Sequence, residues 1–266
     1  MSLVYADLHL GNSYSDILSF LELLSKVKES RKFIQEIILL GDILDGIEKY
    51  ETQKEKQYPE SLTLQRKMLR WLIELLHNEF EESSIIYVVG NHEKDFKGII
   101  FDENIITKEY PFVKITKEYI DMNRILYLHS LGSTRFGGLS GWTPSSIMKA
   151  LTILATKQNK IWGGLQGICI GHVHKVLDIV SIGGVKFILL PSFLKEAKET
   201  GDQFYRTPAI IYIFSFEDET KISVFEKPFN STETIISFND ILVSVIRQNY
   251  RKITRLEKVL KLKQFI

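Results

Sequence analysis

Three short apolar segments in the first third of the chain are each followed, within two residues, by a polar residue. Each is long enough for one buried strand, and they span residues 3–6, 36–40 and 85–89. Residues 16–28 and about 62–80 lie between them and carry apolar side chains at helical spacing. Strands that alternate with helices indicate parallel βαβ units, in which ligands bind beyond the carboxyl ends of the strands. We therefore expect Asp7, Asp42 and Asn91, which follow the three strands, to share one edge of a sheet.

The remainder of the chain has a pattern that shifts towards antiparallel strands. Turn residues at Met122-Asn123 and at Gly183-Gly184 each separate two apolar runs, and the glycine pair is a strong hairpin signal. Pro144 favours the first turn of a helix over residues 144–156. The strands predicted here are 119–121, 124–129, 168–170, 176–181, 185–190, 209–216 and 221–225. The whole pattern predicts a mixed α/β (α+β) fold, with two sheets that pack face to face between outer helices.

Composition narrows the class of protein further. The 266 residues are 44% hydrophobic, enough for a sizeable core, and a formal net charge of +1 favours no class of charged partner. The single cysteine, Cys169, excludes an internal disulfide, which is typical of a reducing compartment. No apolar run reaches the ~20 residues of a membrane-spanning helix, and no secretory signal precedes the first strand. We therefore predict a cytoplasmic protein without membrane insertion, with Cys169 an inert core residue and residues 50–58 an exposed polar insertion.

Histidine is concentrated where strands are predicted to end. Of the six histidines, only His77 lies within an amphipathic helix, where an ordinary half-buried side chain explains it. The other five lie at predicted strand ends, and they are His9, His92, His129, His172 and His174. Any one of them alone is more simply interpreted as a structural histidine, so their significance depends on the motifs around them.

These motifs are weak individually and specific in combination. D-x-H begins at Asp7, and its two side chains point the same way in an extended chain. G-D-x-x-D, G-N-H-E and G-H-x-H begin at Gly41, Gly90 and Gly171, and we expect Gly90 to allow a tight backbone turn. The loops supply carboxylate, amide and imidazole groups without a thiolate. This donor set suits Mn²⁺, Fe²⁺, Zn²⁺, Ni²⁺ or Co²⁺ and disfavours a structural zinc knot.

In this order, the motifs resemble those of the calcineurin-like metallophosphoesterase superfamily, which read D-x-H, G-D-x-x-D, G-N-H-[DE], H and G-H-x-H. The resemblance covers residues 7–174 and implies a four-layer sandwich of two facing mixed β-sheets flanked by helices. It also implies two divalent metal ions, of which manganese is the expected species. The implied ligands are Asp7, His9 and His174 for one ion, Asn91, His129 and His172 for the other, and the bridging Asp42.

The resemblance implies two further roles. Asp45 would orient one of the metal ligands without binding metal itself. His92 would be the catalytic histidine rather than a ligand. A metal-bridging hydroxide would attack phosphorus in line, while His92 would stabilise the developing charge or protonate the leaving oxygen. Ser130 is one departure, because relatives often have Gly after the histidine that corresponds to His129. This departure affects the local turn and leaves the ligand assignment in place.

The substrate is less constrained than the chemistry. The resemblance implies a hydrolase of phosphate esters, and phosphodiesters of nucleotides or nucleic acid are the expected substrates. A phosphomonoesterase, a protein phosphatase and a nucleotide diphosphatase remain alternatives. A non-catalytic binding subunit is another, although it would require lost ligands and none is missing. Arg135 and Arg206 are candidates for further phosphate contacts, although isolated arginines are more often surface residues.

Residues 229–266 are predicted to form an amphipathic helical extension of a domain that spans residues 1–228. Apolar residues recur every three or four positions from Leu242 to Leu260. From Arg247 onward, seven Lys and Arg residues accompany a single acidic residue. Three interpretations are open: a helix docked on the domain with a solvated basic face, a contact for nucleic acid, or an oligomer contact.

Overall fold

Two β-sheets, with helices against the first of them, make up the part of the chain that the computed structural model describes. The described residues are 2–12, 15–27, 32–46, 61–94, 103–121, 123–130, 152–153, 156–157, 163–172, 174, 178–182, 184–193, 209–216 and 219–226. The strands are β1 (Ser2–Tyr5), β2 (Glu36–Leu40), β3 (Ser84–Val88), β4 (Val113–Thr116), β5 (Glu118–Ile120), β6 (Ile125–Leu128), β7 (Gly167–Ile170), β8 (Asp178–Ile182), β9 (Val185–Leu189), β10 (Ala209–Phe216) and β11 (Glu219–Glu226). The helices are α1 (Ile17–Val27), α2 (Ser61–Glu79), α3 (Asn91–Lys94) and α4 (Glu103–Glu109).

The first sheet has six strands in the order β11-β10-β1-β2-β3-β4. Strands β1 to β4 are parallel, with Leu3 opposite Ile37 and Ile37 opposite Ile85. Strands β10 and β11 extend the sheet beyond β1 in antiparallel orientation. Helix α1 connects β1 to β2, and α2 lies between β2 and β3. The predicted βαβ units are therefore confirmed, and the carboxyl ends of β1, β2 and β3 lie at one edge of the sheet.

The second sheet has five strands in the order β5-β6-β7-β9-β8. Its outer hairpins, β5 with β6 and β8 with β9, are antiparallel as predicted. In its centre, however, β6, β7 and β9 run parallel, so the expectation of an antiparallel second half is wrong there. Parallel neighbours require a long crossover connection, and residues 129–166 supply one between β6 and β7. Both sheets are thus mixed, as the predicted fold class requires.

Alternating strand residues face two different layers of core. Val4 of β1 points to the second sheet and belongs to the same buried cluster as Cys169 of β7. Its neighbour Leu3 points the other way, into a cluster with Phe20 of α1 and Leu72 of α2. This alternation follows from the two-residue period of a strand. Each fully buried aliphatic side chain contributes about 1.5–3 kcal/mol relative to an exposed one. A third cluster lies on the opposite face of the second sheet, and Cys169 is the buried core residue that was predicted.

The prediction missed three short elements, β4, α3 and α4. Strand β4 has only Val113 fully buried, so it lacks a strong apolar signal. Helix α3 begins at Asn91, inside a motif that was interpreted as a loop. Helix α1 begins one residue later than predicted, because Asp16 caps it: Oδ1 of Asp16 accepts the backbone N–H of Ser19 at 3.1 Å.

Several predicted features fall outside the described residues. They are the insertion 50–58, the extension 229–266 and most of the helix 144–156, of which only two short helical pieces are described. Most of the residues predicted to form the fourth layer therefore also lie outside the described part of the chain. Among the described helices, none combines the length and the apolar character needed to cross a membrane. The ring of His77 stacks on that of Phe112 with 3.9 Å between centroids, as expected of an ordinary helix histidine.

Candidate metal centre

The seven predicted ligands come together at the ends of strands from both sheets. Asp7, Asp42 and Asn91 follow β1, β2 and β3, whereas His129 and His172 follow β6 and β7. Oδ1 of Asn91 lies 3.1 Å from Nε2 of His129. The backbone N–H of His172 donates to Oδ2 of Asp7 at 2.9 Å. These two contacts join loops of the first sheet to loops of the second.

Left-handed backbone is concentrated in this cluster. A non-glycine residue in that region costs roughly 1–2 kcal/mol, and Asp and His adopt it more readily than most residues. Five of the six described non-glycine residues with positive φ are predicted ligands. They are Asp7 (53°), His9 (48°), Asp42 (48°), His172 (67°) and His174 (53°). Backbone strain of this kind clusters at functional sites, where it directs side chains towards one point.

Three groups of side chains could each hold a metal ion: two share Asp42, and the third comprises His9, Asp45 and His92. In the first, ligand atoms of Asp7, His9, Asp42 and His174 all lie within 4.8 Å of one another. In the second, the same limit holds for atoms of Asp42, His129 and His172. Each group has a size and a donor set that could hold a metal ion. The carboxylate that the two groups share belongs to Asp42, the residue predicted to bridge the ions.

Two buried carboxylate oxygens in the cluster make no well-aligned hydrogen bond with the residues that the structure describes. They are Oδ1 of Asp7 and Oδ2 of Asp42. Each faces an imidazole nitrogen at 2.9 Å, Nε2 of His174 and Nε2 of His129 respectively. A buried carboxylate oxygen that lacks a donor is costly unless a positive charge lies beside it. The residues therefore fit divalent cations, which take carboxylate oxygen and imidazole nitrogen as ligands.

Contacts behind the imidazoles fix their orientation. Nδ1 of His9 lies 3.0 Å from Oδ1 of Asp45, the residue predicted to orient a ligand, and Nδ2 of Asn12 donates to the same oxygen at 3.0 Å. Nδ1 of His129 faces the backbone carbonyl of Leu40 at 2.8 Å. A carbonyl oxygen can only accept, so Nδ1 of His129 carries a proton, and Nε2 is the nitrogen directed into the cluster. Such outer partners orient metal-ligating histidines in proteins.

Electrostatics in the cluster favour the charged forms of His9, His129 and Asp42, but not of His172, in the absence of metal. Burial alone would lower the pKa of His129 and of His9, but neighbouring carboxylates outweigh it and raise the values to about 10 and about 9. Burial would raise the pKa of Asp42, yet the charges of the nearby imidazoles hold it far below its usual range. For His172, burial and then the charge of His129 lower the pKa to about 4. Metal binding at His9 and His129 must therefore release protons, whereas His172 is already neutral near pH 7.

His92 lies on the open side of the cluster. Its side chain is 25% exposed, whereas that of Asp42 is buried. Its backbone N–H donates to Oδ1 of Asp42 at 2.9 Å, and Nδ1 of its ring lies 2.5 Å from the backbone carbonyl of Asp45. Nε2 of His92 is 3.9 Å from Oδ2 of Asp42. Asn91 and His172 are also partly exposed, so these three residues border the approach to the cluster.

Glu93 holds the loops together, a role that the sequence interpretation did not assign. The side chain is 3% exposed. Its Oε2 accepts the backbone N–H groups of Asp42 at 3.0 Å and of Gly90 at 2.8 Å. Its Oε1 accepts the N–H of Leu44 at 3.0 Å and the hydroxyl of Tyr87 at 2.9 Å. One carboxylate thus fixes the loop after β2 to the loop after β3. The only sequence signal for it was the last position of the G-N-H-E motif.

Replacing Glu93 by Ala is expected to lower the free energy of unfolding by more than about 3 kcal/mol, because four donors lose a buried acceptor. Urea unfolding of the metal-free protein measures the change. The matched control is Glu109→Ala, which removes an exposed ion pair with Arg70 at 2.7 Å and should cost about 1 kcal/mol at most. Equal losses for the two variants would contradict the role assigned to Glu93.

Gly90 is required for close packing rather than for the tight turn that was expected. Its φ is not in the left-handed region, unlike that of Gly41 at 73°. A Cβ at Gly90 would instead overlap both Oδ1 and the backbone nitrogen of Asp42. Gly171 has a similar function, since a Cβ there would lie 2.9 Å from Oδ2 of Asp7. The glycines of these motifs let the strand ends approach the two carboxylates.

The candidate phosphate contacts Arg135 and Arg206 lie outside the described residues. Their role therefore remains a prediction from the sequence.

Two facing mixed sheets, with paired Asp and His groups at their strand ends, are the arrangement expected of metal-dependent phosphoesterases. The family model described as calcineurin-like phosphoesterase matches residues 2–176, about two thirds of the chain. The chain belongs to the calcineurin-like phosphoesterase family, as its motifs predicted.

Comparisons with individual proteins add little beyond the family. No curated protein matches the chain. A predicted phosphoesterase from Streptococcus pneumoniae is 12% identical, with 86% of this chain and 92% of that chain covered and a TM-score of 0.42. Vps29 from Entamoeba histolytica in complex with zinc is 16% identical, with 86% and 99% covered and a TM-score of 0.40. Vps29 from Cryptosporidium parvum is 14% identical, with 86% and 97% covered and a TM-score of 0.42. At these levels of similarity, none of the three informs the function.

Proposed function

We propose that this chain is a metal-dependent phosphoesterase, a hydrolase of ester bonds that uses two divalent ions. The observation that carries the proposal is a pair of buried carboxylate oxygens, Oδ1 of Asp7 and Oδ2 of Asp42. Among the described residues neither makes a well-aligned hydrogen bond, and each has an imidazole nitrogen 2.9 Å away. A scaffold that had lost its metal would be under no pressure to keep this costly arrangement.

The two groups that share Asp42 divide the ligands between two ions. Asp7, His9 and His174 would hold the first, and Asn91, His129 and His172 the second. Bound there, divalent cations supply Lewis acidity towards phosphate oxygens and lower the pKa of water. The oxygen and imidazole donors, without thiolate, suit Mn²⁺, Fe²⁺, Zn²⁺, Ni²⁺ or Co²⁺, and manganese is the ion we propose among them.

His92 is the proposed catalytic histidine. Its Nδ1 is committed to the carbonyl of Asp45, which leaves Nε2 as the nitrogen that can meet substrate on the open side. In the protonated ring, Nε2–H can donate a proton to the leaving oxygen as the phosphorus–oxygen bond breaks. Asp45 supports this role through two groups. Its backbone carbonyl contacts Nδ1 of His92, and its carboxylate contacts Nδ1 of His9.

We propose a phosphodiester of a nucleotide or nucleic acid as the substrate. The basic character of residues 247–266 supports this choice, with Arg135 and Arg206 as additional phosphate contacts. The extension 229–266 would be separate from the catalytic domain 1–228. A cytoplasmic location accords with the single, buried Cys169.

A panel of substrates tests the function. Manganese-loaded protein is assayed on bis-p-nitrophenyl phosphate, p-nitrophenyl phosphate, single-stranded DNA and cyclic nucleotides. Hydrolysis of the diesters in preference to the monoester supports the proposal. Preference for the monoester would instead identify a phosphomonoesterase. No hydrolysis of any substrate by protein shown to contain metal would favour a non-catalytic binding subunit.

Deleting residues 247–266 is expected to weaken binding of single-stranded DNA and to flatten its salt dependence. Each phosphate contact that is lost reduces the steepness of the plot of log affinity against log salt concentration by about 0.7. Hydrolysis of bis-p-nitrophenyl phosphate should remain near its original rate. Fluorescence anisotropy across a salt series measures binding, and thermal melting first establishes that the truncated domain is folded. Unchanged DNA affinity in a folded truncation would exclude this role for the segment.

A further inference from the structure

Gln65 on helix α2 reaches from the hydrophobic core into the loops of the metal centre. Its side chain is 5% exposed. Oε1 accepts the backbone N–H of Gly46 at 2.8 Å, and Nε2 donates to the carbonyl of the same residue at 3.0 Å. The amide group thus binds both polar groups of one backbone position, in the manner of a neighbouring strand. Neither a motif nor an apolar pattern identified Gln65 in the sequence.

The same side chain also contacts the loop that carries His9. Gly11 has φ of 105°, and a Cβ at that position would lie 2.6 Å from Cδ, Cγ and Nε2 of Gln65. The backbone of Gly11 therefore packs directly against the amide plane. Gln65 is consequently wedged between two loops, one leading from β1 through His9 and the other leading from β2 through Asp45.

One peptide group connects Gln65 to His92. The N–H of the peptide between Asp45 and Gly46 donates to Gln65, and its carbonyl oxygen lies 2.5 Å from Nδ1 of His92. Because a carbonyl oxygen only accepts, Nδ1 of His92 must carry a proton. A hydrogen bond donated by the N–H of a peptide and one accepted by its carbonyl strengthen each other, because both polarise the peptide group in the same direction. The chain of contacts therefore runs from the core, through the peptide, to the ring.

We infer that Gln65 is a positioning residue for His92, acting through the Asp45–Gly46 peptide to keep the proton of the neutral ring on Nδ1. Nε2 then stays directed towards the open side of the centre. The inference rests on the proposed function in assigning catalysis to His92. Its effect on the ring, however, can be measured without turnover.

Gln65→Met tests the inference, because Met has a similar length and cannot hydrogen-bond to Gly46. Long-range ¹H–¹⁵N spectra of the full chain with Zn²⁺, which is diamagnetic, report which ring nitrogen of each histidine carries the proton. Wild type should show His92 with the proton on Nδ1. The variant should show a mixture of the two tautomers for His92, while His9 keeps the state that the carboxylate of Asp45 imposes. An unchanged His92 ring, or an equal change in both rings, would overturn the inference.

Kinetics provide a second and independent test. On a diester with a poor leaving group, Gln65→Met should lower kcat roughly tenfold through loss of ring orientation, with KM unchanged. The same substitution in a His92→Ala background should have little further effect on kcat, because the two residues act in one pathway. A full tenfold loss in that background would show that Gln65 acts elsewhere and would overturn the inference. If wild type hydrolyses no substrate, the proposed function fails, and the ring spectra still decide the role of Gln65.

Two further variants separate positioning from general loosening of α2. Gln65→Glu keeps an oxygen that can accept the N–H of Gly46 but loses the donor to the carbonyl of Gly46. Because the inference depends on the N–H bond, this variant should retain the wild-type tautomer of His92. Tyr110→Phe removes a hydrogen bond from Tyr110 to Glu74 of α2, at 2.8 Å and remote from the centre. It should leave kcat and both histidine rings unchanged. A tautomer shift in Tyr110→Phe comparable with that in Gln65→Met would overturn the inference.

Discussion

Replacing Asp42 by Asn is expected to reduce diester hydrolysis by more than about 10³-fold, because several kcal/mol of charge stabilisation depends on the ions that this residue holds. Asp42 is the one carboxylate common to both groups of ligands. The substitution keeps the size of the side chain and removes the negative charge that lets two cations share it. Turnover under excess Mn²⁺ and the number of ions per chain are the measurements.

Asp16→Asn is the matched control for that substitution. Asp16 caps helix α1 through a hydrogen bond to Ser19, and Asn caps a helix about as well as Asp. The control should therefore retain both its metal content and its turnover. A folded Asp42→Asn protein that still binds two ions and hydrolyses the diester at the wild-type rate would contradict the proposed bridge.

Replacing His92 by Ala is expected to lower turnover by roughly 10²–10⁴-fold on a substrate whose leaving oxygen must be protonated. A p-nitrophenolate leaving group needs little protonation, so the loss of turnover on such a substrate should be much smaller. Metal content should be nearly unchanged, because His92 is not one of the seven proposed ligands. Single-turnover rates on an oligonucleotide and on bis-p-nitrophenyl phosphate measure the two losses.

His77→Ala serves as the control for His92→Ala, since His77 lies on α2 with its ring against Phe112. It should leave both rates unchanged. Equal losses on the two substrates in His92→Ala would mean that the histidine acts on the transferring phosphoryl group. The proposed role as a proton donor would then be wrong.

The part of the centre that was predictable from sequence is the part encoded locally. Apolar strands ended by Asp7, Asp42 and Asn91 placed these residues at one sheet edge, because parallel strands share the direction of their carboxyl ends. The order of the motifs then suggested which histidines accompany them. The structure brings all of these side chains together, so the pattern in the sequence was sufficient to locate the candidate site.

Residues that act through distant contacts could not be predicted in this way. Glu93 binds the backbone of Asp42 across 51 positions, and Gln65 binds that of Gly46 across 19. Neither contact leaves a periodic or compositional signal, since a buried Glu or Gln looks like a surface residue in the sequence. The parallel centre of the second sheet was missed for a related reason. Strand orientation there depends on the crossover over residues 129–166, which no local pattern specifies.

The proposed ligands belong to loops of both sheets, with Asp7 and Asp42 from the first and His129 and His172 from the second. An occupied centre would therefore cross-link two layers that otherwise meet mainly through apolar side chains. A ligand that binds only the folded chain stabilises it by about 2.7 kcal/mol at a free concentration one hundred times its Kd. The supply of divalent ions would then control the free energy of unfolding of the protein as well as its rate of hydrolysis.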